Sequence, residues 1–449
     1  MLPTFPPFDY HDPAVLQSHL REALPFLHRL VFDKMLEIAR DEGLTVYLVG
    51  GIVRDLFLGR PNFDLDFVVL ADAHRLARIA GAVFKTLLAV QSVKLTVHTK
   101  FGTARLDLVF QAADDSSPSH IHVDIATARL ETYAHPAALP DVTFPATLVQ
   151  DLRRRDFSIN AIAVAPVSGG LQLTDPFDGL ADLKAGWLRV LHPLSLVDDP
   201  TRILRGVRFA ARFDYRFEPA TASLLQKAVA DGYLPTLSPE RIRNELLLIL
   251  REARPEIALQ LLADYKILSQ INPLLAWQPE WGQDFRQLRQ LLATSISPAA
   301  YLALLCYRLE PTQVQKIGRD LRLFDQNQTV PFQVAQLWHT VRPALSSPLV
   351  NSQLYRLLHP FTPYALEVGA ALLQIQGLGE AAARVRYYLD ALQAKKPQLD
   401  GEDLKRLGLK PGPQFGQILE ALHAALLDGL VVTRADEEAF VQQQLADLP

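Results

Sequence analysis

Cysteine is almost absent from this chain: there is one in 449 residues, Cys306. A lone thiol makes no intrachain disulfide and no cysteine-based zinc site, and such usage is typical of a reducing compartment. An excess of charge is also lacking, with 45 Lys and Arg against 49 Asp and Glu, a net charge of −4. No global basic field advertises a nucleic-acid partner, so any basic site must be local. No uninterrupted apolar run approaches the roughly 18 residues a membrane span requires. The start, MLPTFPPFDYHDP, has prolines and acids where a signal peptide carries a basic segment and an apolar stretch. The expectation is a cytoplasmic protein without membrane association. What is present is ordinary globular composition, 49% hydrophobic and 21% charged, in a chain too long for one core.

The texture changes along the chain. Leu24, Phe26, Leu27, Leu30, Phe32, Met35 and Ile38 recur at helical spacing, so residues 15–42 are predicted to contain a helix. From 44 to 165 short β-type runs alternate with helical patterns at 53–59 and 73–88, which indicates an α/β or α+β head. Beyond about 199 the strand signals stop, and stretches rich in Leu, Ala, Gln and Arg recur between prolines and glycines. These predict an all-helical remainder. The expected divisions are a head at 1–165, a neck at 166–265, a helical body at 266–380 and a helical tail at 381–449.

In YLVGGIVRDLFLGRPNFDLDFVVL a β run ends in Gly50-Gly51, a short helix carries Arg54 and Asp55, and a second β run opens with Asp64-Leu65-Asp66. Two glycines let backbone pass close to a ligand, and the N–H groups opening the next helix suit an anion such as a triphosphate. Alternation puts Asp64 and Asp66 on one face, about 7 Å apart along a strand at roughly 3.3 Å per residue. Paired hard carboxylates suit magnesium, which completes its shell with waters and substrate phosphates. Two acids further on are candidates for a third carboxylate: Asp107 in ARLDLVF and Asp124 in HIHVDIATARLETY. Asp124 is preferred. Asp55 reads as an ion-pair residue on the helix face.

At this point the chain resembles the class II tRNA nucleotidyltransferases and bacterial poly(A) polymerases, within the nucleotidyltransferase superfamily of DNA polymerase β. Their first motif, LVGGxVRDxxLG followed by DxD, is written here as LVGGIVRDLFLG and DLD. The resemblance is strong over about 44–250 and thinner beyond. It implies an α+β polymerase β-like head with a mixed sheet, followed by helical neck, body and tail. It also implies Mg2+ at Asp64 and Asp66, a catalytic role for Asp124, and nucleotide contacts from Gly51 and Arg54. DLRRRDFSINAIAV at 151–164 resembles the second motif, RRDFTxNA, implying that Arg155 contacts the nucleotide and Asp156 a ribose hydroxyl, with Asn160 supporting the turn. The stretch between Arg129 and Asp156 is long enough for the flexible loop that the family uses when adding the terminal A. DPFDGLADLKAGW resembles the third motif, where Asp175, Asp178 and Gly179 read as a hinge or turn.

LVDDPTRILRGVRFAARFDYRF contributes most. At about 100° per residue, Arg202, Arg205, Arg208, Arg212 and Arg216 share one sector of a helix, with Ile203, Leu204, Val207, Ala210 and Ala211 opposite. The pattern predicts an arginine-lined face that an anionic partner would neutralise. By resemblance to the motif EDxxR, Asp199 and Arg202 are the base-selecting pair, and Arg205 and Arg208 bind the nucleotide. Chemistry supports the pairing. Cytosine and adenine both present an amino donor beside an unprotonated ring nitrogen, matching an acceptor-only carboxylate and a donor-only guanidinium. Uracil and guanine would set acceptor against acceptor. In the tail, LGLKPGPQFGQILEALHAALLDGLV again resembles the family, and Lys405, Arg406 and Lys410 are candidate RNA contacts. No histidine pair is spaced for an appended metal-dependent phosphohydrolase. The expected activity is addition of CMP and AMP from CTP and ATP to the 3′ end of tRNA by a monomer. The alternatives are an enzyme adding only A, or a poly(A) polymerase.

Overall fold

The computed structural model describes residues 8–111, 119–408 and 412–446. It divides into two compact units, 1–238 and 239–449.

The first unit opens with α1 (Pro13–Ala23) and α2 (Phe26–Asp41), then β1 (Val46–Val49), α3 (Gly51–Phe57), β2 (Leu65–Val69) and α4 (Ala73–Lys85). Next come β3 (Val90–His98), β4 (Thr103–Phe110), β5 (Ser119–Thr127), β6 (Leu130–Thr132), β7 (Asp141–Thr143) and α5 (Leu148–Arg153). It continues with β8 (Ala163–Val167), β9 (Gly170–Thr174), α6 (Gly179–Ala185), β10 (Trp187–Leu188), α7 (Ser195–Asp198), α8 (Thr201–Phe213), β11 (Arg216–Phe217) and α9 (Pro219–Ala230). Seven strands form one mixed sheet in the order β3-β4-β5-β2-β1-β8-β9, in which only β2 and β5 run parallel. The hairpin β8–β9 crosses position 165, so the head sheet extends past the boundary drawn from sequence, because strand signals that short are hard to separate from turn.

Burial gives the sheet two distinct faces. Helix α4, started by the Asp72 side chain accepting from the His74 N–H at 2.8 Å, buries Leu76, Ala77, Ala80 and Phe84. Its Gly81 lies against Leu106 and Val93, so α4 covers the face that carries the apolar residues of β4. The alternate residues Arg105 and Asp107 of β4 and Asp124 of β5 therefore project from the opposite face. A second core under that face joins Val49, Val68, Ala128, Leu148, Leu152, Ala161 and Ala163. It holds α5 and the turn after it beside the ends of β1 and β2.

In the second unit every described element from Pro239–Leu250 to Arg434–Ala446 is helical. Its cores include one built on residues of 337–427 and another on residues of 399–441. Among the described residues, no helix is long and apolar enough to cross a membrane.

Candidate active site

Strand β1 delivers the chain into Gly50 at φ 80°, a left-handed conformation that glycine adopts without Cβ strain. A side chain built on Gly51 would meet the Asn62 amide nitrogen at 3.0 Å, so the second glycine lets Asn62 pack closely over the turn. Asn62 binds this turn to the acidic strand. Its Nδ2 donates to Asp55 at 2.7 Å and its Oδ1 accepts from the Asp64 N–H at 3.0 Å.

Asp66 stands directly opposite Asp124 in the parallel register of β2 and β5. Burial, then the Asp124 carboxylate, pushes the Asp66 carboxyl up to about 6, with Asp64 adding to the repulsion and Arg155 opposing it. Asp124 is raised too, first by burial, while Arg105 opposes with its Nε 3.8 Å away. Asp107 is held 2.6 Å from His122 Nδ1 and lies opposite that residue on the β4–β5 ladder, so register favours Asp124 as the partner of the Asp-Leu-Asp pair. The expected three-carboxylate centre is not closed by the protein alone. Among the described residues, no three His, Cys, Asp or Glu side chains gather into a metal-holding group. Asp64 is exposed at the approach to β2. The donor chemistry still fits a hard divalent cation, because Asp66 and Asp124 are adjacent acceptors whose repulsion a cation would reverse.

The segment after α5 supplies cations. Arg155 Nη2 donates to Asp151 at 3.2 Å, its Nη1 lies about where a Gly50 side chain would reach, and it bears electrostatically on Asp66. Its Nε is buried with no acceptor among the described residues. Beyond it, Arg202 is 5% exposed and donates to Ser195 Oγ and to the Arg154 carbonyl, each at 2.6 Å. Asp199 accepts from the Thr201 hydroxyl at 2.7 Å and from its N–H at 3.1 Å, which starts α8. Arg202 and Arg154 line a cavity of about 610 Å³ with Glu131, Tyr133, His192 and Asp198.

The family described as "Poly A polymerase head domain" matches residues 46–189, and "Probable RNA and SrmB- binding site of polymerase A" matches 214–278. The A-adding tRNA nucleotidyltransferase of Halalkalibacterium halodurans is 33% identical, over 97% of this chain and 96% of that relative. The chain belongs to the class II tRNA nucleotidyltransferase family. Within it, the A-adding enzyme of Aquifex aeolicus is 33% identical over 86% of the chain, which spans only 45% of that relative's length. Further relatives are called CC-adding tRNA nucleotidyltransferase and multifunctional CCA protein. A solved CCA-adding enzyme with ATP superposes with a TM-score of 0.75 at 31% identity, covering 97% of this chain and 99% of that one. The Thermotoga maritima CCA-adding enzyme complexed with tRNA gives 0.70 at 30% identity, over 95% and 98% of the two chains. The head is accordingly the polymerase β-like head of this nucleotidyltransferase family.

Several residues expected to contact the nucleotide are engaged with other groups of the nucleotidyltransferase head. Arg54 is 4% exposed, donates to Asp55 at 2.7 and 2.9 Å and to Asn160 at 2.6 Å, and stacks on Phe209 and Phe213. Asp156 is spent internally, accepting from Arg205 at 2.6 and 3.0 Å, from Asn160 at 2.9 Å and from the Phe157 N–H at 2.8 Å. Burial alone would raise its carboxyl, but Arg205 leads the groups that overcome burial and hold it at about 2. Arg208 is 7% exposed and packs on Phe209. The arginine-lined face is thus corrected: α8 is buried nearly all round, only Arg212 of its arginines is exposed, and Arg216 lies beyond the helix on β11. A period of 3.6 cannot reveal that both sides of a helix are covered. Asp175 accepts from the Gly179 and Leu180 N–H groups at 2.8 and 2.9 Å, so the third motif is a turn that starts α6. The segment expected to be a flexible loop contains the ribbon β6–β7. In the second unit Lys405 pairs with Glu402 and Arg406 with Asp403, while Lys410 lies outside the described residues. Sequence reasoning missed Asn62, Arg105, Glu131, Tyr133 and Ser195, which belong to no charged run and are singled out only by what they touch.

Proposed function

We propose that the chain is a cytoplasmic, template-independent nucleotidyltransferase that builds the CCA terminus of tRNA from CTP and ATP and releases pyrophosphate. The observation that carries this reading is the pairing of Asp66 with Asp124 beside the Gly50 turn and the unpartnered Nε of Arg155. Asp64, Asp66 and Asp124 would hold Mg2+, which when bound supplies charge neutralisation at the phosphates and activates the attacking hydroxyl. Arg155 would take the triphosphate, and the Gly50-Gly51 backbone leaves room beside it. The tRNA 3′ hydroxyl then attacks the α-phosphate, and pyrophosphate carries the bond electrons away. Positioning and electrostatics do most of the work, since this chemistry asks little covalent participation of side chains.

Base choice falls to Asp199 and Arg202. Arg202 has five donors, and two acceptor groups, Ser195 and the Arg154 carbonyl, fix its plane. Donors remain for a ring nitrogen of cytosine or adenine. A site that leaves buried polar groups unpaired with the wrong base discriminates by as much as about 10⁴-fold.

A second reading, addition of A alone to tRNA ending in CC, is favoured by the names of three relatives that match 86–97% of the chain at 32–33% identity, each called an A-adding enzyme. One assay separates the two: transcripts of one tRNA ending at the discriminator base, at C and at CC, each incubated with CTP, ATP or both. Growth of the shortest transcript by CCA supports the first reading; extension of the CC-ending transcript alone, by a single A, supports the second. A long A tail on any of them would point to a poly(A) polymerase.

A further inference from the structure

The cavity beside Arg202 has a wall that base selection by Asp199 and Arg202 leaves unexplained. At about 610 Å³ it falls within the ~300–1,000 Å³ of small-molecule sites. Its floor is a buried polar cluster centred on Glu131, whose side chain is 7% exposed. Glu131 Oε1 accepts from Arg129 at 2.8 and 2.9 Å and from Arg154 Nη1 at 3.1 Å, and its Oε2 accepts from the Tyr133 hydroxyl at 2.9 Å. Arg154 is gripped a second time by Asp151, at 2.8 and 3.0 Å. Its backbone carbonyl is one of the two acceptors that fix Arg202. A continuous chain of short hydrogen bonds therefore runs from Tyr133 through Glu131 and Arg154 to the guanidinium that reads the base.

Resting on the proposed function, we infer that Glu131 is a positioning residue for base selection, fixing Arg202 through Arg154, and that Tyr133 is the specificity wall beside it. The chemistry follows from the guanidinium's geometry. Donors held in one plane reward a ring-nitrogen acceptor at one position only. Donors free to rotate serve the carbonyl of uracil almost as well. Tyr133 is kept a donor, because burial and then the Glu131 carboxylate hold its phenol above the ordinary value, and Arg202 and Asp199 lie near enough to bear on it. A rigid ring lining the same cavity as Arg202 narrows the space in which a wrong base could tilt to find partners.

Glu131→Gln keeps shape and an acceptor but removes the charge that clamps Arg129 and Arg154; Tyr133→Phe removes only the hydroxyl. For each, kcat/KM is measured with CTP and UTP on a tRNA ending in C, and with ATP and UTP on one ending in CC. The expected result is a fall in the correct-to-UTP ratio of about tenfold or more for Glu131→Gln and a smaller fall for Tyr133→Phe. If all nucleotides lose equally, with the ratio unchanged, the cluster merely stabilises the fold and the inference is overturned. Should Glu131→Gln fail to fold, the ratio for Tyr133→Phe decides alone. Wild-type protein that transfers nothing, or shows no preference over UTP, would instead sink the proposed function itself.

Discussion

Asp66 pays for its position in electrostatic repulsion, and that makes it separable from residues that merely hold the fold. Its carboxyl, pushed up to about 6 by burial and by Asp124, costs stability whenever it is charged. Asp66→Asn is a neutral isostere, so thermal unfolding should stay level or shift upward in the absence of added metal. Nucleotide transfer should drop at least about 100-fold, the scale on which losing one preorganised electrostatic group registers. Transfer persisting in that variant would remove Asp66 from the reaction. Asp156 presents the opposite sign. Its carboxyl is held at about 2, so its ion pair with Arg205 stabilises the fold fully above an unfolded value near 4 and is lost as pH falls through 2. Asp156→Asn should destabilise the protein at pH 7, because it removes the charge that pairs with Arg205. Urea unfolding of both proteins at pH 7 and pH 3 checks this, because the difference between them should shrink at the lower pH. A constant difference would mean that the Arg205 pair contributes nothing. These two aspartates also mark the limits of what a sequence discloses. Spacing alone pairs Asp64 with Asp66, since a strand's period is fixed at two. Asp156 reads from sequence as facing ligand because a run of charge carries no information about which of its members finds a partner 49 positions away.

Among the elements, α8 departs furthest from its sequence pattern. Arginine spacing predicts a polar face, yet Arg202 and Arg208 are buried and Arg205 is turned onto Asp156. Their charges are accommodated by the Arg154 carbonyl and the Asp156 carboxylate, which belong to a distant segment that no local pattern encodes, and by the ring of Phe209 on α8 itself. Packing is just as tight on the other side. A methyl added at Gly206 would lie 2.8 Å from the Phe217 ring and 2.9 Å from the Phe157 ring. Within an exposed helix Gly→Ala stabilises by up to about 1 kcal/mol. Here the sign reverses, because two buried rings cannot withdraw, and overpacking costs typically about 1–3 kcal/mol. Gly206→Ala should therefore lower the thermal midpoint of the protein. A raised midpoint would show that α8 has room on this side and would weaken the view of it as a rigid carrier for Arg202. The first strand–turn–helix, by contrast, is readable from sequence almost residue for residue, since glycine pairs and alternating apolar residues leave few other conformations.

On the scale of the molecule, every residue proposed for chemistry and base choice lies in 1–238, whereas 239–449 is a helical unit with cores of its own. A net charge of −4 gives the chain no diffuse attraction for RNA, so affinity for tRNA must come from localised contacts. Lys405 and Arg406, the described tail candidates, already neighbour the carboxylates of Glu402 and Asp403. The Lys405–Glu402 pair is exposed, is worth less than about 1 kcal/mol and yields readily to a phosphate, whereas Arg406 is exposed beside a buried Asp403 that Arg434 also holds. The division of labour is testable by producing residues 1–238 alone. That fragment contains the whole mixed sheet and its cores, so it should fold and bind CTP within about threefold of the intact chain. Its affinity for tRNA should fall by tenfold or more. The log–log salt slope of tRNA binding between 50 and 200 mM should also flatten by about 0.7–0.9 for each phosphate the fragment no longer neutralises. Equal tRNA affinity and equal slope in fragment and full chain would place the RNA-holding surface in the head and leave the helical half without its proposed purpose.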